Sequence, residues 1–221
     1  ILRSNLAAVI LQMSYLRLGS VEDFPFIDKP EPRLITDGLR LLHEIGALTY
    51  ARDSSSEFKL TRIGMDAARI PTDPRLSRMI IEANREGSLN EILIIVSALA
   101  VVDPRERPLN KLEQSTALHN RFADDRSEFL SYLKLYQYIC SLQKTLSNSA
   151  LRRRLKSEFI SYLRVREWFD LLRQLRASVK MLGFKVNQAE ADYDSIHRAM
   201  LSGLLSRVGY FDDNEKNLYL G

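Results

Sequence analysis

The amino-acid sequence predicts a mainly α-helical protein: a winged helix with one small β-hairpin, followed by a helical bundle. Three observations predict this class. Apolar residues recur at spacings of three and four through most of the chain. Only nine glycines and seven prolines occur in 221 residues, too few for a loop-rich all-β or disordered chain. One stretch, 47–61, departs from the helical period, with two short β-prone runs around a polar turn.

The elements follow in order. Leu2, Leu6, Val9, Ile10, Met13 and Leu16 form one helical face, with Gly19 available as a C-terminal cap. VEDFPFIDKPEP (21–32) holds three prolines and reads as an extended connector. Leu34, Ile35, Gly38, Leu39, Leu41, Leu42 and Ile45 make a second helix, stopped by Gly46. Ala47–Tyr50 and Phe58–Leu60 then flank an Asp-Ser-Ser-Ser turn, predicting a hairpin. Helix, helix and hairpin within about 60 residues outline a winged helix.

Beyond the hairpin only helices are expected. Thr61 can cap a short helix that Pro71 ends. Asp73-Pro74 pairs an N-cap with proline at the first helical position, and Gly87 closes that helix. Ser88 and Glu91 spell a capping box before the apolar helix 89–101. Pro104 and Pro108 keep DPRERPLN (103–110) out of any helix. Asp125 and Glu128 offer a cap to FLSYLKLYQYIC, and Ser147 to the stretch that follows.

That stretch, LRRRLKSEFISYLRVREWFDLLRQLR (151–176), holds the only tryptophan. Its apolar face changes phase. Leu151, Leu155, Phe159 and Tyr162 define one direction; Val165, Trp168, Leu172, Leu175, Val179 and Leu182 define another. At about 100° per residue, one straight helix would wrap this stripe around itself. Two helices meeting near Ser161–Arg164 are therefore expected. On the second, Arg166, Arg173, Arg176 and Lys180 fall within an arc of roughly 80°, a basic stripe beside the apolar face.

Charge is distributed unevenly. The chain carries a net +4. Residues 1–65 are neutral and residues 66–140 net −1, whereas residues 141–185 hold 11 basic and 3 acidic side chains, net +8. Residues 186–221 are net −3. Glu158, Glu167 and Asp170 cannot neutralise such a window through i,i+4 pairing. A field this localised attracts polyanions at one place. The helix at 33–45 balances Arg33 and Arg40 with Asp37 and Glu44, leaving little to neutralise a DNA backbone. The winged helix is read as structural.

Other classes find no support. No apolar run approaches the roughly 20 residues of a membrane span, and the N-terminus lacks the features of a signal peptide. The lone Cys140 suits a reducing, cytoplasmic setting. No Gly-rich phosphate-binding motif occurs. His43, His119 and His197 have no metal-ligand spacing. Asp124/Asp125 and Asp212/Asp213 read as caps and turns rather than acid–base pairs. Tyr162, Trp168 and Phe169 fit packing, with base stacking as the alternative.

Longer motifs carry a resemblance. ILRSNLAAVILQM, DFPFIDKPEPRLITDGLRLLHEIGAL and LTRIGMDAARIPTDPRLSRMI resemble the region that follows the second RecA-like domain in DEAH/RHA-box helicases. SALAVVDPRERP and SYLRVREWFDLLRQLR are similar to the bacterial HrpA type of ATP-dependent RNA helicase. The likeness runs from residue 1 to about residue 210. It implies a winged helix, then a ratchet-like helical domain opened by the PTDPRL stretch, then the start of an OB-fold in AMLSGLLSRVGYFDDNEKNLYLG (199–221). Ser161 departs from the family, whose members commonly have Asn there.

The domain expectation is a winged helix at 1–68, a ratchet-like domain at 69–190, and a helix with a truncated OB-fold start at 191–221. The implied function is the C-terminal helicase-associated region of a 3′→5′ RNA helicase, cut from a longer protein, lining the RNA channel and coupling RecA-domain motion to translocation. ATP and Mg2+ would sit in parent RecA domains, with no cofactor and no catalytic residue in this stretch. The partners would be single-stranded RNA, with DNA as the alternative, and the intramolecular RecA and OB-fold domains. Residues expected on the nucleic-acid backbone are Arg166, Arg173, Arg176 and Lys180, then Arg152, Arg153 and Arg154. The rival readings are a winged-helix DNA-binding regulator and a protein-interaction module that docks an acidic partner.

Overall fold

In a computed structural model, residues 6–51, 54–211 and 219–220 are described. The first helix, α1 (Leu6–Leu16), buries Ala7, Ile10, Leu11 and Met13 against α2 (Pro32–Glu44). Pro32 at the first helical position sets the start of α2, since its missing N–H would have been unpaired there anyway. Gly46, at φ +72°, then turns the chain into an antiparallel hairpin. β1 (Leu48–Ala51) pairs with β2 (Ser54–Leu60) in the register Leu48↔Leu60, with a bulge between Tyr50 and Ala51.

The hairpin differs from expectation at its tip. Ser54–Ser56 belong to the strand rather than to a turn, with Ser54 paired to Ala51 beyond the bulge. Leu2 of the first expected helical face, Asp53 of the expected turn together with Arg52, and the Asp212/Asp213 pair lie outside the described residues.

Thr61 caps α3 (Arg62–Ala67): its hydroxyl accepts from the Gly64 amide at 3.0 Å and donates to the Gly46 carbonyl at 2.6 Å. One hydroxyl thus ties the helix start to the base of the hairpin. Gly64 is required by contact, because a Cβ there would lie 2.1 Å from the Ala47 carbonyl oxygen. Asp73 and Pro74 open α4 (Pro74–Glu86), and Gly87 closes it at φ +72°.

Next comes α5 (Leu89–Leu99), apolar on every side and buried from Leu89 to Ala98 except at Asn90. A helix of that kind belongs at a centre, and α5 packs against α4, α7 (Glu128–Thr145), α9 (Tyr162–Met181) and α10 (Tyr193–Leu201). The expected capping box is absent. Ser88 Oγ donates instead to the Ser195 carbonyl, and the Glu91 carboxylate accepts from Asn187 Nδ2 at 2.9 Å. Both side chains serve the docking of the 187–195 segment on α5, which overrides a local cap.

After the extended segment 103–108 a short helix, α6 (Leu112–His119), precedes α7. The cap of α7 is Ser127, not Asp125, and it makes no side-chain capping bond. Its hydroxyl lies 2.7 Å from His197 Nε2 on α10. Ser147 caps α8 (Asn148–Ser157), accepting from the Ala150 amide. The described chain closes with α10 and two paired two-residue strands, β3 (Tyr210–Phe211) and β4 (Tyr219–Leu220).

The basic stretch is two helices, as the phase change predicts, with the joint at Glu158–Ser161, slightly earlier than expected. Phe159 takes φ +55°, a region costly for a residue with a Cβ. Long-range backbone bonds hold it there. The Glu106 amide donates to the Phe159 carbonyl at 2.7 Å, and the Ser161 amide to the Pro104 carbonyl at 2.8 Å. Arg105 and Ile160 thereby form an antiparallel bridge. The segment that two prolines exclude from a helix is what breaks α8 from α9.

Candidate nucleic-acid interface

The orientation of α9 is fixed before its outer face is available for anything. Trp168 is 0 % exposed. Its indole N–H reaches both the Ile94 carbonyl and Ser97 Oγ at 3.0 Å, so the ring's one donor is satisfied inside the core. Tyr132, Tyr136 and Phe169 surround it, with ring centroids 5.5–6.2 Å from the indole. The tryptophan is a core residue.

The joint beneath α9 is held by charge. Glu158 accepts from Arg121 Nη2 at 2.6 Å and from Tyr138 Oη at 2.8 Å, and it pairs with Arg154 at 2.8 Å. Burial opposes ionisation of Glu158, but these hydrogen bonds and the two guanidinium charges outweigh it and hold the carboxyl below the usual range. His119 Nε2 lies 3.0 Å from the Glu158 carbonyl and must donate to it, leaving a bare, buried Nδ1. Burial, with Arg105 and Arg107 nearby, pushes the imidazole below its ordinary pKa and keeps it neutral. Asp103 receives Arg105 Nη2 at 2.8 Å, and Arg164 on α9 donates to the Asp103 carbonyl at 3.0 Å.

On this frame α7, α8 and the start of α9 enclose a groove of about 350 Å³. Leu151, Val165 and Leu172 form its buried floor. Arg166, Arg173 and Arg176 line it together with Asp170. Arg166 is exposed and has no ion pair or hydrogen-bond partner among the described residues. Arg173 pairs with Asp170 one turn earlier, and Arg176 Nη2 donates to Asn90 Oδ1 at 3.2 Å. The Arg173–Asp170 pair is exposed, and pairs of that kind contribute little and exchange readily for a phosphate.

The remaining expected residues are distributed differently. Lys180 is exposed on the last turn of α9, beyond the groove lining. Arg152 and Arg153 are exposed on α8 without partners among the described residues. Arg154 is occupied by Glu158 and Tyr138. The structure thus brings three of the seven into one groove. Sequence reasoning missed the facing wall of Tyr136, Gln143 and Asn148. Its only trace is the run YQYIC, which reads equally well as core.

Among the described residues no group of three or more His, Cys, Asp or Glu side chains is placed to hold a metal ion, and no helix is long and apolar enough to cross a membrane.

Comparisons relate this architecture to known proteins. Residues 73–158, from the start of α4 to the end of α8, match the model described as the helicase associated domain (HA2), ratchet-like. Over all of its 221 residues the chain is 48 % identical to the ATP-dependent RNA helicase HrpA of Escherichia coli (strain K12), covering 17 % of that protein. It is 47 % identical to the HrpA homolog of Haemophilus influenzae, again covering 17 %. A pre-mRNA-splicing factor ATP-dependent RNA helicase of Arabidopsis thaliana, DEAH10, is 30 % identical over 93 % of the chain and 29 % of that protein. Over its whole length the chain is thus similar to ATP-dependent RNA helicases of the HrpA type, and it spans about a sixth of the length of these two bacterial relatives.

Proposed function

We propose that this chain is the helicase-associated region of an ATP-dependent 3′→5′ RNA helicase, and that its groove between α7, α8 and α9 holds the backbone of single-stranded RNA. The observation that carries this reading is the convergence of Arg166, Arg173 and Arg176 on one groove inside a window of net +8. A translocating enzyme has to accept any sequence, which backbone contacts allow. The relatives' names, ATP-dependent RNA helicases, point the same way.

The finer architecture belongs to this proposal: a winged helix over 1–68, a ratchet-like domain over 69–190, and a helix with the start of an OB-fold over 191–221. Closure of RecA-like domains elsewhere in the longer protein would be transmitted through the α5-centred bundle to the groove. ATP and Mg2+ would bind those domains, and the 221-residue chain alone would not hydrolyse ATP. Its setting would be the cytoplasm.

Binding to single-stranded RNA, duplex DNA and an acidic peptide, measured across a salt series, tests the proposal. RNA binding that weakens linearly in log–log form with salt is expected. Sequence-specific duplex binding centred on residues 33–60 would favour a winged-helix regulator instead. Selective binding of the peptide would favour a protein-docking role. In the longer protein, Arg173→Glu with Arg176→Glu should depress RNA-stimulated ATPase. Unchanged stimulation would remove the assignment.

A further inference from the structure

The groove has two properties that a backbone-binding surface does not require. It is a recess rather than a ridge, and its polar lining is not purely cationic. Tyr162 and Phe169 are half-buried and both line it, so each ring leaves part of its area open to the recess. Phe169 is held in place by ring contacts with Tyr136, which also lines the recess, at 5.2 Å and with the buried Trp168 at 5.5 Å between centroids. A ring held this way loses little freedom when a flat partner covers it. Asp170 adds a carboxylate among three arginines. A phosphate would be repelled by that carboxylate, whereas a base N–H would be accepted by it.

We infer that the recess takes one nucleobase of the strand, stacked against Phe169 or Tyr162, with Asp170 accepting from the base edge while Arg166, Arg173 and Arg176 hold the flanking phosphates. This rests on the reading of the groove as an RNA interface. A volume of about 350 Å³ accommodates a base and leaves room for its sugar at the rim. The contact tolerates any sequence, since every base has a π-face and each of the four carries a ring or exocyclic N–H. The recess would thus index the strand by one nucleotide without reading its identity.

The test compares an oligouridylate with an abasic ribose–phosphate strand of equal length and charge, each titrated with the full chain by fluorescence anisotropy. The base-bearing strand should bind about five-fold or more tighter, the effect expected of one stacked base. Both strands should show the same salt slope, because their phosphates are equal in number. Phe169→Leu, which keeps an apolar side chain but removes the ring, should bring the ratio close to one while the helical circular dichroism and its cooperative melt stay native. Equal, salt-dependent binding of both strands by the unmodified chain would overturn the base recess and leave the backbone reading intact. A preference that survives Phe169→Leu and Tyr162→Leu would place the base elsewhere and overturn the assignment. Binding of neither strand would remove both readings together.

Discussion

Arg121 and Glu158 meet at 2.6 Å, and that contact joins the turn after α6 to the joint between α8 and α9. Glu158 is 4 % exposed, whereas Arg121 and Arg154 are exposed, so removing the carboxylate leaves two solvent-reachable guanidinium groups and the Tyr138 hydroxyl without their common acceptor. Glu158→Ala should destabilise the chain by about 1–2 kcal/mol, the guanidinium groups being screened by solvent. Chemical denaturation read by the lone tryptophan measures this. A change below about 0.5 kcal/mol, the size of an ordinary surface substitution, would mean the joint is held by the backbone bonds to Pro104 and Glu106 alone.

Acid should act through the same cluster. Glu158 and Asp103 have folded pKa values below their ordinary ones. Their contribution is therefore complete above the unfolded carboxylate value of about 4 and is lost as pH falls through the lower folded value. His119 adds a step at higher pH. Its folded pKa is also depressed, so the unfolded chain binds the extra proton first and stability declines as pH drops below about 6.5. A stability profile for Glu158→Gln should lose part of the acid limb. His119→Asn should flatten the region just below neutrality while sparing that limb.

Two glycines should resist substitution for a contact reason. A Cβ on Gly64 would sit 2.1 Å from the Ala47 carbonyl oxygen, and one on Gly203 would sit 2.4 Å from the Arg75 carbonyl oxygen. Backbone is the obstacle in both cases, so elements must separate. Gly64→Ala and Gly203→Ala should each cost about 1–3 kcal/mol. Gly203 matters doubly, because its own carbonyl accepts from Arg75 Nη1, whose guanidinium also pairs with Glu44 at 2.9 Å. Gly87→Ala, with open space around it but φ +72°, should be milder, about 1 kcal/mol. Thermal melts of the three variants order the effects.

Trp168 is a built-in reporter of the core. Being fully buried and the chain's only tryptophan, it should emit to the blue of the unfolded chain. Trp168→Phe would remove the indole donor to Ser97 Oγ and the Ile94 carbonyl, the carbonyl keeping the Ser97 hydroxyl as a donor at 2.9 Å, at about 1–3 kcal/mol. Ser97→Ala removes only one acceptor and should cost less. A reversed order would show that packing around the indole, rather than its N–H, decides the site.

What was legible in the sequence was local. Thr61, Asp73, Gly87 and Ser147 act where they stand, because a cap needs only the next three residues. The split between α8 and α9 was legible too, since a phase change of the apolar face is written in the chain. The exact joint was not: Phe159 and Ser161 are fixed by Glu106 and Pro104, more than fifty positions away. Ser88 and Glu91 show the same failure in reverse, a local motif whose side chains are claimed by Ser195 and Asn187. For the groove, periodicity gave the α9 wall of Arg166, Arg173 and Arg176. The α7–α8 wall of Tyr136, Gln143 and Asn148 depends on how three helices pack, which no single-helix pattern encodes.

The basic residues themselves can be ranked by salt. Every phosphate left without its cation should lower the slope of log binding against log salt by about 0.7 for a single strand. Arg166→Ala should show that full decrement, since nothing else among the described residues engages the side chain. Arg173→Ala should change the slope similarly with less weakening, because Asp170 already competes for the guanidinium. For the same reason Asp170→Asn should tighten backbone binding, releasing Arg173 and removing a negative charge from the phosphate path. Arg154→Ala should leave the slope unchanged, its guanidinium being committed to Glu158. Lys180 and Arg152 separate a groove from a diffuse field. If the strand follows the recess, their slopes stay near that of the unmodified chain. If every exposed cation between 141 and 185 contributes alike, all five of these cation substitutions give the same decrement, and the geometry of the groove has no part in holding the strand.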